Sequence, residues 1–94
     1  MSRLNVAVIG TGAMGRSHAR VYSELKDAEL VAVCDANKKT AQDVADSYEV
    51  NSYTDYKEML KKEKIDAVSV CVPTKFHKDV AVEVIRNKIN VLVE

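Results

Sequence analysis

Short, valine-rich clusters recur along this chain and alternate with stretches of helical period. The clusters span Leu4–Ile9, Leu30–Cys34, Ala67–Val72 and Val91–Val93, and a weaker one lies near Asn51–Tyr53. The runs VAVI and LVAVC in the first two contain no polar residue. Strands without a polar break are typical of a parallel sheet whose two faces are both covered by helices.

The residues between the clusters carry apolar stripes with the period of an amphipathic helix. The predicted stripes are Met14, His18, Val21 and Leu25; Ala41, Val44, Ala45 and Tyr48; Tyr56, Met59 and Leu60, with Thr54 as N-cap; and Val80, Ala81, Val84 and Ile85. Regular alternation of strand and helix implies right-handed crossovers. The sequence therefore predicts an α/β fold: a doubly wound parallel sheet of about five strands in the order 3-2-1-4-5, with helices on both faces.

The composition predicts one small globular domain over residues 1–94 and excludes several classes of partner. Lysine and arginine together number 14, as do aspartate and glutamate, so we expect neither a nucleic-acid nor a membrane partner. The longest apolar run, Leu30–Cys34, is too short to span a bilayer, and no signal peptide is evident, so we expect a cytoplasmic protein. Cys34 and Cys71 are interpreted as reduced thiols, and no metal site is predicted.

All three glycines of the chain lie in one loop, in the pattern Gly10-x-Gly12-x-x-Gly15. The loop follows a predicted strand and opens a predicted helix. There the first glycine permits a tight turn, the second lets a pyrophosphate approach the backbone, and the third lets the helix pack on the strand. The helix N-terminus adds free N–H donors and partial positive charge. The pattern predicts a Rossmann-type dinucleotide site; a glycine turn that binds nothing is the alternative.

An acidic residue follows at the distance that such a site requires. Asp35 lies twenty residues after Gly15, at the end of LVAVCD. Its carboxylate is expected to accept hydrogen bonds from the adenosine ribose and to repel a 2′-phosphate. NAD is therefore the predicted cofactor. NADP stays open because Lys38 and Lys39 follow closely and either could meet a 2′-phosphate.

Four segments resemble the N-terminal domain of the glucose–fructose oxidoreductase / inositol dehydrogenase (Gfo/Idh/MocA) family. These segments are VAVIGTGAMGRSHA, LVAVCD, VSVCVPTKFHKDVAVEVI and NVLVE, and the resemblance runs over residues 5–94. Its most specific parts are the glycine loop with His18 and Ala19, and Pro73-Thr74 with His77. The resemblance implies an NAD(P)-dependent oxidoreductase, a dehydrogenase that transfers a hydride to or from the CH–OH group of a sugar, cyclitol or related polyol.

The resemblance also implies which residues bind the cofactor. The pyrophosphate would be held by Gly10, Thr11, Gly12, Ala13, Met14 and Gly15. Asp35 would take the adenosine ribose, and His77 would lie near the nicotinamide ribose. The nicotinamide side would be lined by Cys71, Val72, Pro73 and Thr74. Glu94 would be the first residue of the family's Glu-Lys-Pro motif, whose lysine contributes to the substrate site.

In length the chain departs from the family it resembles. It stops at Glu94, before that lysine and before the C-terminal α/β domain that supplies most of the substrate pocket. We therefore expect a fragment that binds the dinucleotide, contains no catalytic residue and is inactive alone, whereas the full-length enzyme is expected to be a homo-oligomer. The alternative is a stand-alone NAD(H)-binding module that senses redox state without catalysis.

Several residues keep two interpretations. His77 either faces the cofactor or caps the last helix, whereas His18 is interpreted as a packed helix residue rather than a catalyst. Core packing is favoured over nucleophilic chemistry for Cys71. Tyr53 and Tyr56 either pack the third crossover or touch the adenine.

Overall fold

A computed structural model describes residues 4–93, within which strands and helices alternate strictly. The elements are β1 (Leu4–Ile9), α1 (Ala13–Glu24), β2 (Ala28–Cys34), α2 (Lys38–Tyr48), β3 (Asn51–Tyr53), α3 (Tyr56–Lys62), β4 (Ala67–Val70), α4 (Thr74–Arg86) and β5 (Asn90–Val93). The strands form a single sheet in the order β3-β2-β1-β4-β5, and every neighbouring pair is parallel. The predicted fold class and strand order are confirmed.

Each face of the sheet is buried by one pair of helices. The first core lies under α1 and α2 and consists of Val6, Val8, Ala19, Ala28, Leu30, Val33, Val44 and Ala45. The second core lies under α3 and α4 and consists of Ala7, Ile9, Ala32, Cys34, Met59, Leu60, Ile65, Val68, Val70, Val80, Val84 and Ile89. Because both faces are covered, β1 is buried from Val6 to Ile9, which explains its unbroken apolar sequence.

In its pairing with β1, strand β2 contains one extra residue. The pairing register shifts between Val6 and Ala7, where Val31 of β2 is the extra residue. Side chains of a strand alternate between the faces, and Val31 packs beside Ala32 against the second core as a second consecutive side chain. Beyond it, Val33 lies in the first core and Cys34 in the second. The sequence pattern did not predict this bulge.

Helix α1 forms where it was predicted, but it buries a different face. Met14, Val21 and Leu25 of the predicted stripe are 53%, 45% and 46% exposed. The small residues Gly15 and Ala19 are buried instead. The glycine loop brings the start of the helix so close to β1 that only small side chains fit between them, and this contact sets the rotation of the helix. The assignment of the apolar stripe to the core was therefore wrong.

Two smaller expectations about the helices were also wrong. Asp55, not Thr54, is the N-cap of α3, and its carboxylate accepts a hydrogen bond from a first-turn N–H at 2.9 Å. On α4, Val80 and Val84 are buried as predicted, whereas Ile85 is 59% exposed. A helical turn separates the first two and aligns them, while Ile85 is rotated away from the sheet. Across residues 4–93, no helix combines the length and apolar character needed to cross a bilayer.

Candidate dinucleotide-binding site

A cavity of about 860 Å³ lies at the carboxyl ends of β1, β2 and β4. In a doubly wound sheet this is the crevice where the crossovers diverge to opposite faces and where ligands bind. The cavity is lined by Ile9, Gly10, Gly12, Met14, Cys34, Asp35, Ala36, Thr54, Asp55, Tyr56, Cys71, Val72, Pro73, Phe76, Asp79 and Val80. It therefore brings the glycine loop, Asp35 and the loop after β4 together.

The three glycines of the loop have different structural reasons to be glycine. Gly10 has φ +97°, and a Cβ there would lie 2.6 Å from the carbonyl oxygen of Cys71. A Cβ on Gly15 would lie 1.8 Å from the carbonyl oxygen of Gly10. A Cβ on Gly12, in contrast, would have no atom of the described residues within 4 Å apart from its chain neighbours, and Gly12 borders the cavity. Gly10 and Gly15 are thus required by the fold, whereas the space beside Gly12 is open.

Helix α1 begins at this space, since its N-cap Gly12 and its first-turn residue Met14 both border the cavity. Gly12 is the N-cap and has no side chain to cap the helix, and the first turn carries no acidic residue. The N-termini of α2 and α3 are capped by Asn37 and Asp55. First-turn N–H groups have no partner within a helix and carry partial positive charge, so this terminus suits an anionic group. Arg16 also lies here, with its Nε donating to the carbonyl oxygen of Thr11 at 3.2 Å.

Asp35 follows β2 and is anchored to the glycine loop. Its Oδ2 accepts from the Thr11 N–H at 2.8 Å and from the Thr11 hydroxyl at 2.9 Å, and its Oδ1 accepts from the Asn37 N–H at 2.8 Å. Partial burial raises the pKa of Asp35, but the hydrogen bonds from Asn37 and Thr11 outweigh it, so the pKa is lowered. The carboxylate is therefore charged at neutral pH. The Thr11 N–H is already engaged by Asp35.

The loop between β4 and α4 forms the opposite wall. Cys71, Val72 and Pro73 line the cavity, and the Cys71 N–H donates to the carbonyl oxygen of Ile9 at 2.7 Å. The Nε2 of His77 lies 2.5 Å from the carbonyl oxygen of Val72. His77 thus bridges the first turn of α4 and the loop that precedes it. It does not cap the helix, because the N-cap is Pro73 and no side chain caps α4. A contact of His77 with the cofactor stays a prediction.

The side chains of three residues predicted for the site lie outside the described part of the chain. Ala13 begins α1 and Thr74 begins α4, and only their backbone is described. Glu94 lies outside the described residues. The proposed contacts of these side chains remain predictions.

The two cysteines are free thiols with different environments. Cys34 is 2% exposed, and burial together with Asp35 and Asp55 raises its pKa to about 12. A thiol with such a pKa is not a nucleophile at neutral pH. Cys71 is half-buried beside the cavity. Strand β1 lies between β2, which ends at Cys34, and β4, which Cys71 follows.

The cavity also contains residues for which the sequence indicated no role. Ala36, Thr54, Asp55, Phe76 and Asp79 were not assigned to the site. Phe76, the only phenylalanine of the chain, lies three residues after Pro73 and is 46% exposed. Its position close to the loop after β4 is the sequence feature that could have indicated a place in the site. Tyr56 lines the cavity and also packs against the second core, and its contact with the adenine stays a prediction. Tyr53 packs against that core but is not part of this cavity wall.

Helix α1 contributes two further side chains, His18 and Tyr22, whose rings contact each other. His18 is half-buried, with its ring edge-on to that of Tyr22 at a centroid distance of 6.3 Å. The Tyr22 hydroxyl is hydrogen-bonded to the hydroxyl of Ser69, which is fully buried in β4. Within the described part of the chain, no three His, Cys, Asp or Glu side chains form a group able to hold a metal ion.

The fold and the site together define a dinucleotide-binding α/β domain. The profile described as "Oxidoreductase family, NAD-binding Rossmann fold" (GFO_IDH_MocA) matches residues 4–94. The chain therefore belongs to the Gfo/Idh/MocA oxidoreductase family, of which it is an NAD-binding Rossmann domain. The resemblance inferred from the four segments is confirmed.

Individual relatives are similar along most of the chain. D-glucoside 3-dehydrogenase of Escherichia coli (strain K12) is 44% identical over 78 residues, covering 81% of this chain and 22% of that protein. Inositol 2-dehydrogenase of Rubrobacter xylanophilus is 31% identical, covering 98% and 27%. The crystal structure of GenD2 from gentamicin A biosynthesis in complex with NAD superposes with a TM-score of 0.94 at 33% identity, covering 99% and 27%. The chain thus spans about a quarter of the length of these relatives.

Proposed function

We propose that this chain is the cofactor-binding domain of an NAD-dependent dehydrogenase that oxidises a CH–OH group of a sugar, cyclitol or related polyol. The substrate class is supported by the relatives, which include a D-glucoside 3-dehydrogenase and an inositol 2-dehydrogenase. The observation that carries the cofactor site is the space at Gly12, which no described residue other than its chain neighbours enters, although Gly10 and Gly15 are tightly packed.

The pyrophosphate would lie against Gly12 and the N–H groups at the start of α1. The absence of a side chain at Gly12 permits this approach, and the partial positive charge of the helix terminus favours it. Gly10 and Gly15 contribute by shaping the turn and by letting α1 approach β1. The ligand thus accounts for the glycine at position 12, and the fold accounts for the other two.

The adenosine half would lie over Asp35, and the loop after β4 would contact the remainder of the cofactor. Asp35 is negatively charged and lines the cavity, which favours a ribose hydroxyl and disfavours a 2′-phosphate. Lys38 borders a second cavity of about 230 Å³ together with Ser52, Thr54 and Glu58. The carboxylate of Glu58 on the same wall opposes a phosphate there, which supports NAD over NADP.

The chemistry of the proposed reaction divides between cofactor and protein. NAD supplies a hydride acceptor at C4 of its nicotinamide. The described residues would bind the dinucleotide, orient it through the Cys71–Pro73 segment and exclude water from the crevice. We assign them no proton-transfer role. The activity proposed here belongs to a whole enzyme, since the relatives are about four times as long as this chain.

Gly12→Val tests the proposed cofactor site. The valine side chain would enter the space at Gly12, so affinity for NADH should fall by about tenfold or more, equivalent to about 1.4 kcal/mol. Calorimetric titration with NADH gives the affinity, and thermal unfolding checks that the variant is folded. Ser47→Val, on the exposed surface near the end of α2, is the matched control and should bind NADH like the wild type. Unchanged affinity in Gly12→Val would refute the proposed site.

A further inference from the structure

Thr11 is completely buried behind Asp35 and does not reach the cavity. Thr11 is 0% exposed, and among the residues whose burial is described only it and Ser69 are buried and polar. A buried hydroxyl requires a hydrogen-bond partner. Here the partner is Oδ2 of Asp35 at 2.9 Å, and the Thr11 N–H donates to the same oxygen at 2.8 Å. Both donors of Thr11 therefore converge on one atom of a residue that lines the cavity.

The other oxygen of Asp35 is held from a different direction. Its Oδ1 accepts from the Asn37 N–H at 2.8 Å. A carboxylate offers about four acceptor positions, so three are taken by the chain and one is left. Rotation of the carboxylate would break these contacts. Its backbone is fixed as well, because the Asp35 N–H donates to the carbonyl oxygen of Tyr53 at 3.0 Å.

We propose that Thr11 is a specificity-determining positioning residue of the dinucleotide site. By anchoring Asp35, it leaves one acceptor position, which suits a single ribose hydroxyl. It also fixes the carboxylate in the orientation in which its negative charge repels a 2′-phosphate. Thr11 touches neither cofactor nor substrate and acts only through Asp35. This inference rests on the proposed function, in which Asp35 faces the adenosine ribose.

Replacement of the Thr11 hydroxyl tests this role. Thr11→Val keeps the shape and the N–H but removes the hydroxyl, so a single charge-assisted hydrogen bond is lost. We expect NADH affinity to fall about fivefold to tenfold, because a carboxylate free to rotate binds the ribose hydroxyl less well. NADPH affinity should change by less than about twofold, because the same carboxylate also repels the 2′-phosphate less, and the two effects offset each other. Thr11→Ser keeps the hydroxyl and should retain the wild-type ratio of the two dissociation constants. Thr11→Ala is the second hydroxyl-free variant, should Thr11→Val not fold.

A double-variant comparison distinguishes positioning from general support of the fold. Asp35→Asn removes the charge and should lower the preference for NADH over NADPH at least as much as Thr11→Val does. In the Asp35→Asn background, Thr11→Val should then leave that preference unchanged, because Thr11 acts through Asp35 alone. If Thr11→Val lowers both affinities by the same factor, or still lowers the preference in the Asp35→Asn background, the inference is overturned.

The same titrations separate this inference from the proposed site. Wild-type affinity in Gly12→Val would refute the site itself and, with it, the role of Thr11. Loss of binding in Gly12→Val together with a wild-type preference in Thr11→Val and Thr11→Ala would refute the role of Thr11 alone.

Discussion

Gly15 packs so closely on Gly10 that a Cβ at Gly15 would lie 1.8 Å from the Gly10 carbonyl oxygen. Gly15→Ala should therefore destabilise the protein by about 3 kcal/mol or more, because backbone atoms must shift to admit the methyl group. Urea unfolding measures the loss. Gly12→Ala is the matched control: its Cβ meets nothing, so its stability should stay within about 1 kcal/mol of the wild type. Equal stability of the two variants would contradict the assigned roles.

The hydrogen bonds to Asp35 make stability depend on pH. Its pKa is lower in the folded protein than in the unfolded chain, so its contribution is present above the unfolded value, about 3.9, and is lost as pH falls through the folded value. Asp35→Asn should cost about 1–3 kcal/mol at pH 7. In urea unfolding at decreasing pH, the difference between wild type and variant should shrink below about pH 4. A difference that stays constant to pH 2.5 would contradict this linkage.

The raised pKa of Cys34 predicts an unreactive thiol. Burial and the nearby Asp35 and Asp55 raise this pKa to about 12, so very little thiolate exists at pH 8. The Cys71→Ser variant leaves Cys34 as its one cysteine and can be treated with iodoacetamide. Mass spectrometry should detect almost no modification of the folded protein and complete modification in urea. Rapid modification without denaturant would show that Cys34 is accessible.

The contact between His77 and Val72 predicts a role for His77 in holding the loop after β4. His77→Ala removes the partner of the Val72 carbonyl oxygen, so stability should fall by about 0.5–1.5 kcal/mol and NADH affinity should also decrease. His77→Gln, which retains a donor, should recover part of both losses. His18→Ala on α1 is the control, and its NADH affinity should equal that of the wild type. An unaltered affinity in His77→Ala would show that the loop keeps its conformation without this contact.

Tyr22 and Ser69 couple α1 to the centre of the sheet through their hydroxyl groups. Tyr22→Phe leaves the fully buried Ser69 hydroxyl without its partner and should cost about 1–3 kcal/mol. In combination with Ser69→Ala the loss should be clearly smaller than the sum of the single losses, because one interaction is removed twice. Additive losses in urea unfolding would mean that the two residues act independently.

The residues of the sequence predict most of the fold because they encode it locally. Unbroken apolar clusters such as Leu30–Cys34 indicate strands that are covered on both faces. Their alternation with helices favours one topology, the doubly wound parallel sheet. The orientation of α1 was not predictable in this way. Hydrophobic periodicity favours the face with Met14, Val21 and Leu25, but the rotation of α1 is set by the contact of Gly15 with Gly10, which is a tertiary effect.

The candidate site was predicted where motif and chemistry coincide, as at Gly12 and Asp35. The anchoring of Asp35 by Thr11 was not predicted, because a hydroxyl 24 residues away along the chain leaves no periodic signal. Likewise, Phe76 and Asp79 reach the cavity only because β4 and β1 are neighbours in the sheet. That such residues belong to the site can be recognised only once the strand order is known.

The bulge at Val31 adds an apolar contact without disturbing the register of the sheet. Deleting Val31 would join Leu30 directly to Ala32 and give a regular strand, in which Ala32, Val33 and Cys34 keep their partners Ala7, Val8 and Ile9. Val33 and Cys34 would also keep their faces, because the remaining residues already alternate between the two cores. The added residue therefore brings a second consecutive side chain, that of Val31 beside Ala32, against the second core, while Asp35 at the end of the strand keeps its place.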